Sequence, residues 1–226
     1  ASMRDAADGA GVEIVTGDTK VVPRGKADKV YIATAGIGTL PSDAPAPGGQ
    51  VEPGDAIIVS GPVGDHGAAV LSQREGLNLA SPVVSDCAPL TDTAQAVLGA
   101  AQRVAFMRDL TRGGLATAMN EAVHGREVGI VLREEDVPVR EEVRSICEVL
   151  GLDPLYLACE GRLAAIVDAP SAEATLFALR AAPRAAEAAV VGRVAEDYPG
   201  KVAVETPLGT RRLLQMLSGE QLPRIC

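Results

Sequence analysis

Beyond residue 54, short apolar segments alternate with segments of helical pattern, and this alternation limits the chain to a small set of folds. The segments 55–60 (DAIIVS) and 161–168 (GRLAAIVD) are rich in β-branched and apolar residues, which is typical of buried strands. Segment 138–151 places apolar residues along one helical face. Two further apolar segments around the turn 207–209 predict antiparallel neighbours. We therefore predict an α/β fold with a mixed sheet flanked by helices.

Single residues predict where several elements begin and end. Pro138 suits the first position of a helix because proline has no N–H to leave unpaired, and Gly151 suits the end of the same helix. Ser171 is a good N-cap for the helix that follows it. Nearer the start of the chain, segments 12–15 and 29–35 have the composition of strands.

Aliphatic side chains have to fill the core of this protein. Hydrophobic residues make up 47% of the 226 residues, but aromatic residues make up only 2%, and tryptophan is absent. A chain of this length can bury a sizeable core. Because alanine, valine, leucine and glycine must supply it, we expect helices that pack closely on the sheet.

The charge and the cysteines argue against several classes of function. The formal net charge is −9, and a field of that sign repels nucleic acid and anionic membrane, so we expect neither as a partner. No apolar run approaches the roughly 20 residues that cross a bilayer. Cys87, Cys147, Cys159 and Cys226 form no CxxC pair and have no histidines at zinc-ligand spacing, so we predict no structural metal site. This cysteine usage favours a reducing cytoplasm.

Proline and glycine divide the chain into segments. Residues 37–54 contain both throughout and predict a linker, and residues 55–217 form the predicted α/β domain. Residues 1–36 begin with a helix-to-strand pattern, so we expect them to be the last strands of a truncated N-terminal domain. Residues 218–226 are short, polar and uncapped, which predicts a flexible tail.

A glycine-rich turn, 61–67 (GPVGDHG), precedes a predicted helix and contains His66. Glycines let backbone N–H groups approach a ligand, and a helix N-terminus favours anions. A tight strand-to-helix turn explains the same glycines without any ligand. Neither the P-loop nor the GxGxxG pattern is present, so the turn predicts no known nucleotide motif.

A second turn, 108–115 (RDLTRGGL), has the composition of a phosphate cradle. Arg112 supplies a fixed charge, and the pair Gly113–Gly114 exposes backbone donors. Asp109 lies at the end of the preceding predicted strand. The alternative is structural, with Asp109 or Thr111 acting only as the N-cap of the next helix.

Two charged residues outside these turns are candidates for chemistry. Lys20 lies in a polar turn between two predicted strands, where its ammonium group could contact a phosphate oxygen. Glu160 lies between Cys159 and Gly161 in an apolar setting that would raise the pKa of a carboxyl group and let it move protons. A solvated loop lysine and a strand-end glutamate that faces water are the respective alternatives.

The last residue is a cysteine, and it completes a resemblance to a known family. The segments TGDTKVV, GDHG, RDLTRGGLATAMNE, ACEGRL and the terminal PRIC, in this order, resemble the HypE family of hydrogenase maturation proteins, the carbamoyl dehydratases. That family lies within the aminoimidazole ribonucleotide synthetase-like superfamily. The resemblance covers the chain from about Val12 to Cys226. It implies the C-terminal α/β domain of that fold, preceded by the remnant of an N-terminal ATP-binding domain.

The resemblance implies ATP-dependent dehydration of a carbamoyl group on the sulfur of Cys226, from S-carboxamide to S-thiocyanate. The thiocyanate then supplies the cyanide ligand for the iron of a nickel–iron hydrogenase. Lys20 contacts the ATP phosphates or the activated oxygen, and Glu160 accepts a proton from the carbamoyl nitrogen. Further residues are implied only as parts of the nucleotide cleft: Asp109, Arg112, Gly113, Gly114, His66 and Asn120.

The resemblance also implies cofactors and partners. ATP and Mg²⁺ are implied, with the magnesium ligands mostly in the N-terminal domain, so we expect this chain alone to be inactive. The implied partners are the carbamoyltransferase HypF, the HypC–HypD iron-scaffold complex and, in the complete protein, a second copy in a homodimer. Two alternatives stay open at this point: another ATP-dependent synthetase of the superfamily, which needs no thiol carrier, and a non-catalytic binding domain whose terminal cysteine is incidental.

Overall fold

The computed structural model describes five blocks of the chain: residues 2–26, 29–39, 50–74, 76 and 83–217. The chain divides into two compact units, Ala1–Ala44 and Pro45–Cys226. In the described part of the chain, no helix is long and apolar enough to cross a membrane. The finer boundaries at residues 36, 54 and 217 stay predictions.

The first unit contains one helix, α1 (Ser2–Ala10). The prediction of strands at 12–15 and 29–35 is wrong, because neither segment is a strand in the structure. A strand is stable only beside a hydrogen-bonded neighbour, and the described residues of this unit provide none. Apolar side chains in both segments are exposed, with 85% of Val15 and 76% of Tyr31 accessible to solvent.

The described residues of the second unit form seven strands and five helices, with three short 3₁₀ turns at Glu134–Asp136, Pro154–Tyr156 and Ala169–Ser171. The strands are β1 (Ala56–Val59), β2 (Val104–Asp109), β3 (Gly129–Arg133), β4 (Leu163–Val167), β5 (Ala189–Ala195), β6 (Val202–Glu205) and β7 (Arg211–Leu214). The helices are α2 (Asp65–Arg74), α3 (Thr91–Ala100), α4 (Gly114–Val123), α5 (Glu141–Leu150) and α6 (Ala172–Ala181).

The seven strands form one sheet in the order β2-β4-β1-β5-β3-β6-β7. The pair β3–β6 is parallel, and the other five pairs in this sheet are antiparallel. The predicted mixed sheet is therefore confirmed, and so are the antiparallel neighbours around the turn 207–209, which are β6 and β7. Strand β1 lies between β4 and β5, so its backbone is paired on both edges.

Both faces of the sheet are apolar, because helices cover both of them. Ile57 and Val59 of β1 belong to the larger buried cluster, in which α4 packs on one face. Ile58, which alternates with them, belongs to a second cluster with Val97 of α3 and Leu179 of α6 on the opposite face. A strand that is buried on both faces reads as a continuous apolar run rather than an alternating one, which is why segment 55–60 is recognisable from sequence.

The ends of two helices differ from the sequence-based predictions. Pro138 was expected at the first position of α5, but that helix begins at Glu141, and the Pro138 carbonyl instead accepts a hydrogen bond from the Val63 N–H at 2.9 Å. Ser171 does occupy the N-cap position of α6, but its hydroxyl donates to the Asp168 carboxylate rather than capping the helix. The Pro138 contact is tertiary, whereas the Ser171 hydroxyl is taken by a residue three positions earlier.

Two nearby residues of α6 should contribute very differently to the free energy of unfolding. Leu179 is completely buried in the second cluster, whereas Phe177 is 77% exposed. We expect Leu179→Ala to lower the free energy of unfolding by about 2–5 kcal/mol, because it leaves a cavity between helix and sheet. The matched control Phe177→Ala should change it by less than about 0.5 kcal/mol. Urea denaturation followed by circular dichroism measures both, and equal losses would contradict the packing described here.

Candidate functional site

Residues 157–162 (LACEGR) form the centre of the candidate site, because three other segments bond to their backbone. The Cys159 N–H donates to the Leu110 carbonyl at 2.9 Å, and the Leu110 N–H donates to the Arg162 carbonyl at 3.0 Å. The Gly67 N–H donates to the Ala158 carbonyl at 2.9 Å. The motifs GDHG, RDLTRGGL and ACEGRL are therefore neighbours in space, although the first and the last are almost a hundred residues apart.

The glycines of the turn 61–67 are explained by packing against this central segment. The Gly64 N–H donates to the Cys159 sulfur at 3.1 Å. A Cβ atom at Gly67 would lie 3.0 Å from the Leu157 Cβ and 3.1 Å from the Ala158 nitrogen, which is tighter than ordinary contact. The structural alternative thus accounts for the turn, and the ligand-binding reading of these glycines stays a prediction.

The glycine pair at the start of α4 has a structural reason as well. Gly113 is the N-cap residue of the helix, so neither Asp109 nor Thr111 has that role. Gly114 has a φ of +57°, and a Cβ atom there would lie 2.5 Å from the Leu157 carbonyl oxygen. The pair therefore allows α4 to approach the central segment closely, and its use as a phosphate cradle stays a prediction.

The charged residues of the same turn face outward. The Asp109 side chain is 49% exposed at the end of β2, and its Oδ1 lies 3.9 Å from the Arg108 Nε. Arg112 is exposed. Exposed side chains beside a helix N-terminus are placed where a phosphate from solvent could reach them.

Glu160 is half-buried and held through its backbone. Its N–H donates to the Asp86 Oδ1 at 3.0 Å, and its carbonyl accepts from the Ala88 N–H at 3.3 Å. The Glu160 Oε1 is buried without a hydrogen-bond partner among the described residues. A carboxylate oxygen in that state is available to accept a proton or a hydrogen bond from a ligand.

Two ion pairs that each contain a buried aspartate did not emerge from the sequence. Asp65, with 5% of its side chain exposed, accepts a hydrogen bond from the Arg140 Nε at 3.1 Å. Asp86, with 1% exposed, lies with its Oδ2 3.8 Å from the Arg162 Nε. Burial raises the pKa of Asp65, although Arg140 opposes that shift. Asp65 and Arg162 lie in the motifs GDHG and EGR, but nothing in the sequence singled out Asp86 or Arg140.

Four other residues that were predicted for the site lie in different parts of the chain. The His66 Nδ1 lies 2.9 Å from the Ser85 hydroxyl at the edge of the site. The Asn120 amide group donates to the Ala116 and Leu214 carbonyls and so ties α4 to β7, which gives it a structural role. Lys20 is exposed and belongs to the first unit. Cys226 lies outside the described residues.

The remaining cysteines differ in exposure. Cys87 is exposed. Cys147 and Cys159 are buried, and burial raises the pKa of Cys147 to about 11 and that of Cys159 further. A thiol becomes nucleophilic only as the thiolate. Cys147 and Cys159 are therefore unreactive, whereas Cys87 is open to reagents.

Comparison with known proteins identifies the family. Residues 52–205 match the family "AIR synthase related protein, C-terminal domain". The chain is 50% identical over its whole length to the carbamoyl dehydratase HypE of Rhodobacter capsulatus, of which it covers 66%. It also superposes on a crystal structure of the hydrogenase maturation protein HypE in complex with ATP, with a TM-score of 0.87 and 46% identity, covering 100% of this chain and 68% of that one.

The chain belongs to the HypE family. A chain of a solved HypE–HypF complex is a further match, with a TM-score of 0.85 and 35% identity over 95% of this chain and 70% of that one. The resemblance stated from the motifs is therefore confirmed, and so is the superfamily fold. The chain spans about two thirds of the length of the HypE relatives that it matches.

The glycine pair generates a prediction about stability. Gly114→Ala forces a side chain into a left-handed conformation and against a carbonyl oxygen, so we expect a loss of about 1–3 kcal/mol in the free energy of unfolding. Gly99→Ala is the matched control, because Gly99 lies in α3 with open space around it, and should stabilise by about 0.5–1 kcal/mol. Chemical denaturation of both variants tests this. A stable Gly114→Ala variant would mean that α4 does not approach the central segment this closely.

Proposed function

We propose that this protein carries out the ATP-dependent dehydration of a carbamoyl group bound to the sulfur of Cys226. Membership in the HypE family is the observation that supports this most, because the Rhodobacter capsulatus relative is named a carbamoyl dehydratase and is 50% identical over the whole chain. The proposed product, an S-thiocyanate, supplies the cyanide ligand for the iron of a nickel–iron hydrogenase. Neither alternative reading of the sequence gives the terminal cysteine a role.

The proposed reaction balances as a loss of water driven by ATP. The amide oxygen of S–CO–NH₂ attacks the γ-phosphorus of ATP, and ADP leaves. The nitrogen then loses its protons, the C–O bond breaks, inorganic phosphate leaves and S–C≡N remains. We assign the proton-accepting role to Glu160, since its Oε1 is buried and has no hydrogen-bond partner among the described residues.

The nucleotide contacts are assigned residue by residue, as the family resemblance implies them. Lys20 contacts the ATP phosphates or the activated oxygen, and Arg112 lies beside the N-terminus of α4, where a phosphate is favoured. Asp109, Gly113 and Gly114 shape the same turn. The described residues hold no group of three or more His, Cys, Asp or Glu side chains that could bind a metal ion. Mg²⁺ would accompany the ATP with its ligands mostly in the N-terminal domain, and no step is assigned to it.

The proposed partners follow from the reaction. A carbamoyl group has to be loaded on Cys226 by a carbamoyltransferase, which we assign to HypF because a chain of a HypE–HypF complex is among the structures that match. The cyanide acceptor is the HypC–HypD iron scaffold, and a second copy of the complete protein forms a homodimer. We place the reaction in the cytoplasm. The proposed carrier is the thiol of Cys226, which lies outside the described residues.

The carrier role predicts which thiol is loaded. Incubation with a HypF protein, carbamoyl phosphate and ATP should add one carbamoyl or cyano group to this chain, and Cys226→Ser should remove the gain completely. Cys87→Ser is the matched control, because Cys87 is the exposed thiol among the described cysteines, and it should load normally. Intact-protein mass spectrometry with peptide mapping measures the result. A mass gain that maps to Cys87 would exclude the carrier role of Cys226.

The general-base role predicts that loading and dehydration separate. In the complete protein, Glu160→Gln keeps the shape of the side chain but removes the proton acceptor, so thiocyanate formation should slow by about 10²–10⁴-fold while carbamoyl loading continues. Glu173→Gln, an exposed change in α6, is the control and should leave both steps intact. The two species on Cys226 are distinguished by mass. The assignment fails if Glu160→Gln forms thiocyanate at the normal rate.

A further inference from the structure

The segment 83–90, which precedes α3, contains no helix or strand and lies against the backbone of Glu160. The Asp86 Oδ1 accepts a hydrogen bond from the Glu160 N–H at 3.0 Å. The Ala88 N–H donates to the Glu160 carbonyl at 3.3 Å. Both hydrogen-bonding groups of the Glu160 main chain are therefore bound by one loop, although Asp86 and Glu160 are 74 positions apart in the sequence.

The glycine of the ACEGRL motif makes this contact possible. Gly161 directly follows Glu160, and a Cβ atom at Gly161 would collide with the Asp86 carbonyl oxygen. Backbone atoms cannot move aside as the end of a flexible side chain can, so any other residue at this position would push the two segments apart. Gly161 therefore lets the main chain at Asp86 lie directly along the main chain of Glu160.

The Asp86 carboxylate is itself held in one orientation. Its side chain is 1% exposed, and its Oδ2 lies 3.8 Å from the Arg162 Nε, which is an ion-pair distance rather than a hydrogen bond. The Arg162 Nη1 in turn donates to the Arg184 carbonyl at 2.6 Å. A buried carboxylate costs free energy unless a charge or a hydrogen-bond donor compensates it. Asp86 therefore directs Oδ1 to Glu160 and Oδ2 to Arg162.

A purely structural role for Asp86 would explain the same hydrogen bond, but the rest of the loop argues against it. Val84 and Cys87, on either side of Asp86, are exposed, so segment 83–90 adds little apolar burial that would need an anchor. The polar contacts of the loop instead converge on the one residue that is proposed to accept a proton, Glu160. This convergence is what a support for a catalytic side chain requires.

We propose that Asp86 is a positioning residue that fixes Glu160 for proton removal, a role that rests on the proposed function. A general base has to lie within about 2.6–3.2 Å of the atom whose proton it accepts, and a misplacement of about 1 Å can cost about 10²-fold in rate. The Glu160 side chain rotates about several single bonds, so the place of its carboxylate depends on where the main chain is held. Asp86 bonds to that main chain and orders the base without competing for the proton.

The positioning role is tested by a double-mutant cycle in the complete protein, with single-turnover dehydration of carbamoyl-loaded Cys226 as the reaction. Asp86→Ala removes the acceptor, so the maximal rate should fall by about 10–10²-fold. The ATP concentration that gives half the maximal rate should not change, because the nucleotide contacts are assigned to other residues. In the Glu160→Gln background, Asp86→Ala should cause no further loss, since no base is left to position. Losses that add in the double variant would overturn the proposal.

The variant Asp86→Asn separates the hydrogen bond from the ion pair. It keeps an oxygen that accepts from the Glu160 N–H but removes the charge beside Arg162, so we expect a rate close to that of the parent. A rate as low as that of Asp86→Ala would show that the ion pair matters and would contradict the positioning role. Asp168→Ala is the matched control, because the Asp168 Oδ1 also accepts a distant backbone N–H, that of Arg103 at 2.8 Å, and it should dehydrate like the parent.

A second measurement on the 226-residue chain does not depend on catalysis. Amide hydrogen exchange followed by NMR should show the Glu160 N–H exchanging about tenfold faster in Asp86→Ala, because its acceptor is lost, and at the parent rate in Asp86→Asn. Unchanged exchange in Asp86→Ala would contradict the contact. If Asp86→Ala is poorly folded, Ala88→Pro takes its place in the cycle, because it removes the N–H that the Glu160 carbonyl accepts.

The pattern of rates also separates this role from the proposed function. A normal rate for Glu160→Gln would overturn the assignment of the base, and the positioning role with it. A slow Glu160→Gln variant beside a normal Asp86→Ala variant would overturn the positioning role alone and leave the proposed function standing. The expected result is that both single variants are slow and that the double variant is no slower than Glu160→Gln.

Discussion

The backbone hydrogen bonds of residues 157–163 hold the candidate site together. The segment bonds to the first turn of α2, to the turn that precedes α4, and to the segment that carries Asp86. It then continues directly into β4, whose N–H at Leu163 donates to the Ser60 hydroxyl beside β1. Because the site loops are fixed by backbone groups on the central strands, their geometry depends on the sheet rather than on the loop sequences themselves.

The shortage of aromatic residues and the close contacts of the site have the same physical origin. Small side chains let helices and turns approach the sheet and each other to distances at which even one extra carbon atom would collide, as at Gly67 and Gly114. A close-packed interior of this kind transmits a change in one residue to its neighbours. The glycine motifs of the sequence are therefore requirements of packing first, and any contact with a ligand is added to that role.

The buried charges form the one costly part of this packing. An ion pair that is taken out of water loses hydration that the partner alone rarely restores, and in Asp65 the effect is visible as a raised pKa. Apolar residues of the same volume would have filled this region more cheaply. Their place is taken by Asp65 with the half-exposed Arg140 and by Asp86 with Arg162, and Asp86 also holds the backbone N–H of the proposed general base, Glu160.

The sequence by itself determined the class of fold, the order of strands and helices in the second unit, the family, and the identity of residues such as Glu160 and Cys226 as candidates. These features are local, because residues close together in the sequence determine the apolar run of β1 and the helical pattern of α5. Sequence reasoning failed where the outcome depended on a distant partner. Segments 12–15 and 29–35 have strand composition but no paired neighbour among the described residues, and Pro138 gives its carbonyl to Val63 instead of starting a helix. Only the tertiary structure decided that Gly114 serves close packing and that Asn120 ties α4 to β7. It also decided that four charged residues line one cavity: Asp65, Asp86, Arg140 and Arg162. The physical reason is distance along the chain, since Asp65 and Arg162 are 97 positions apart.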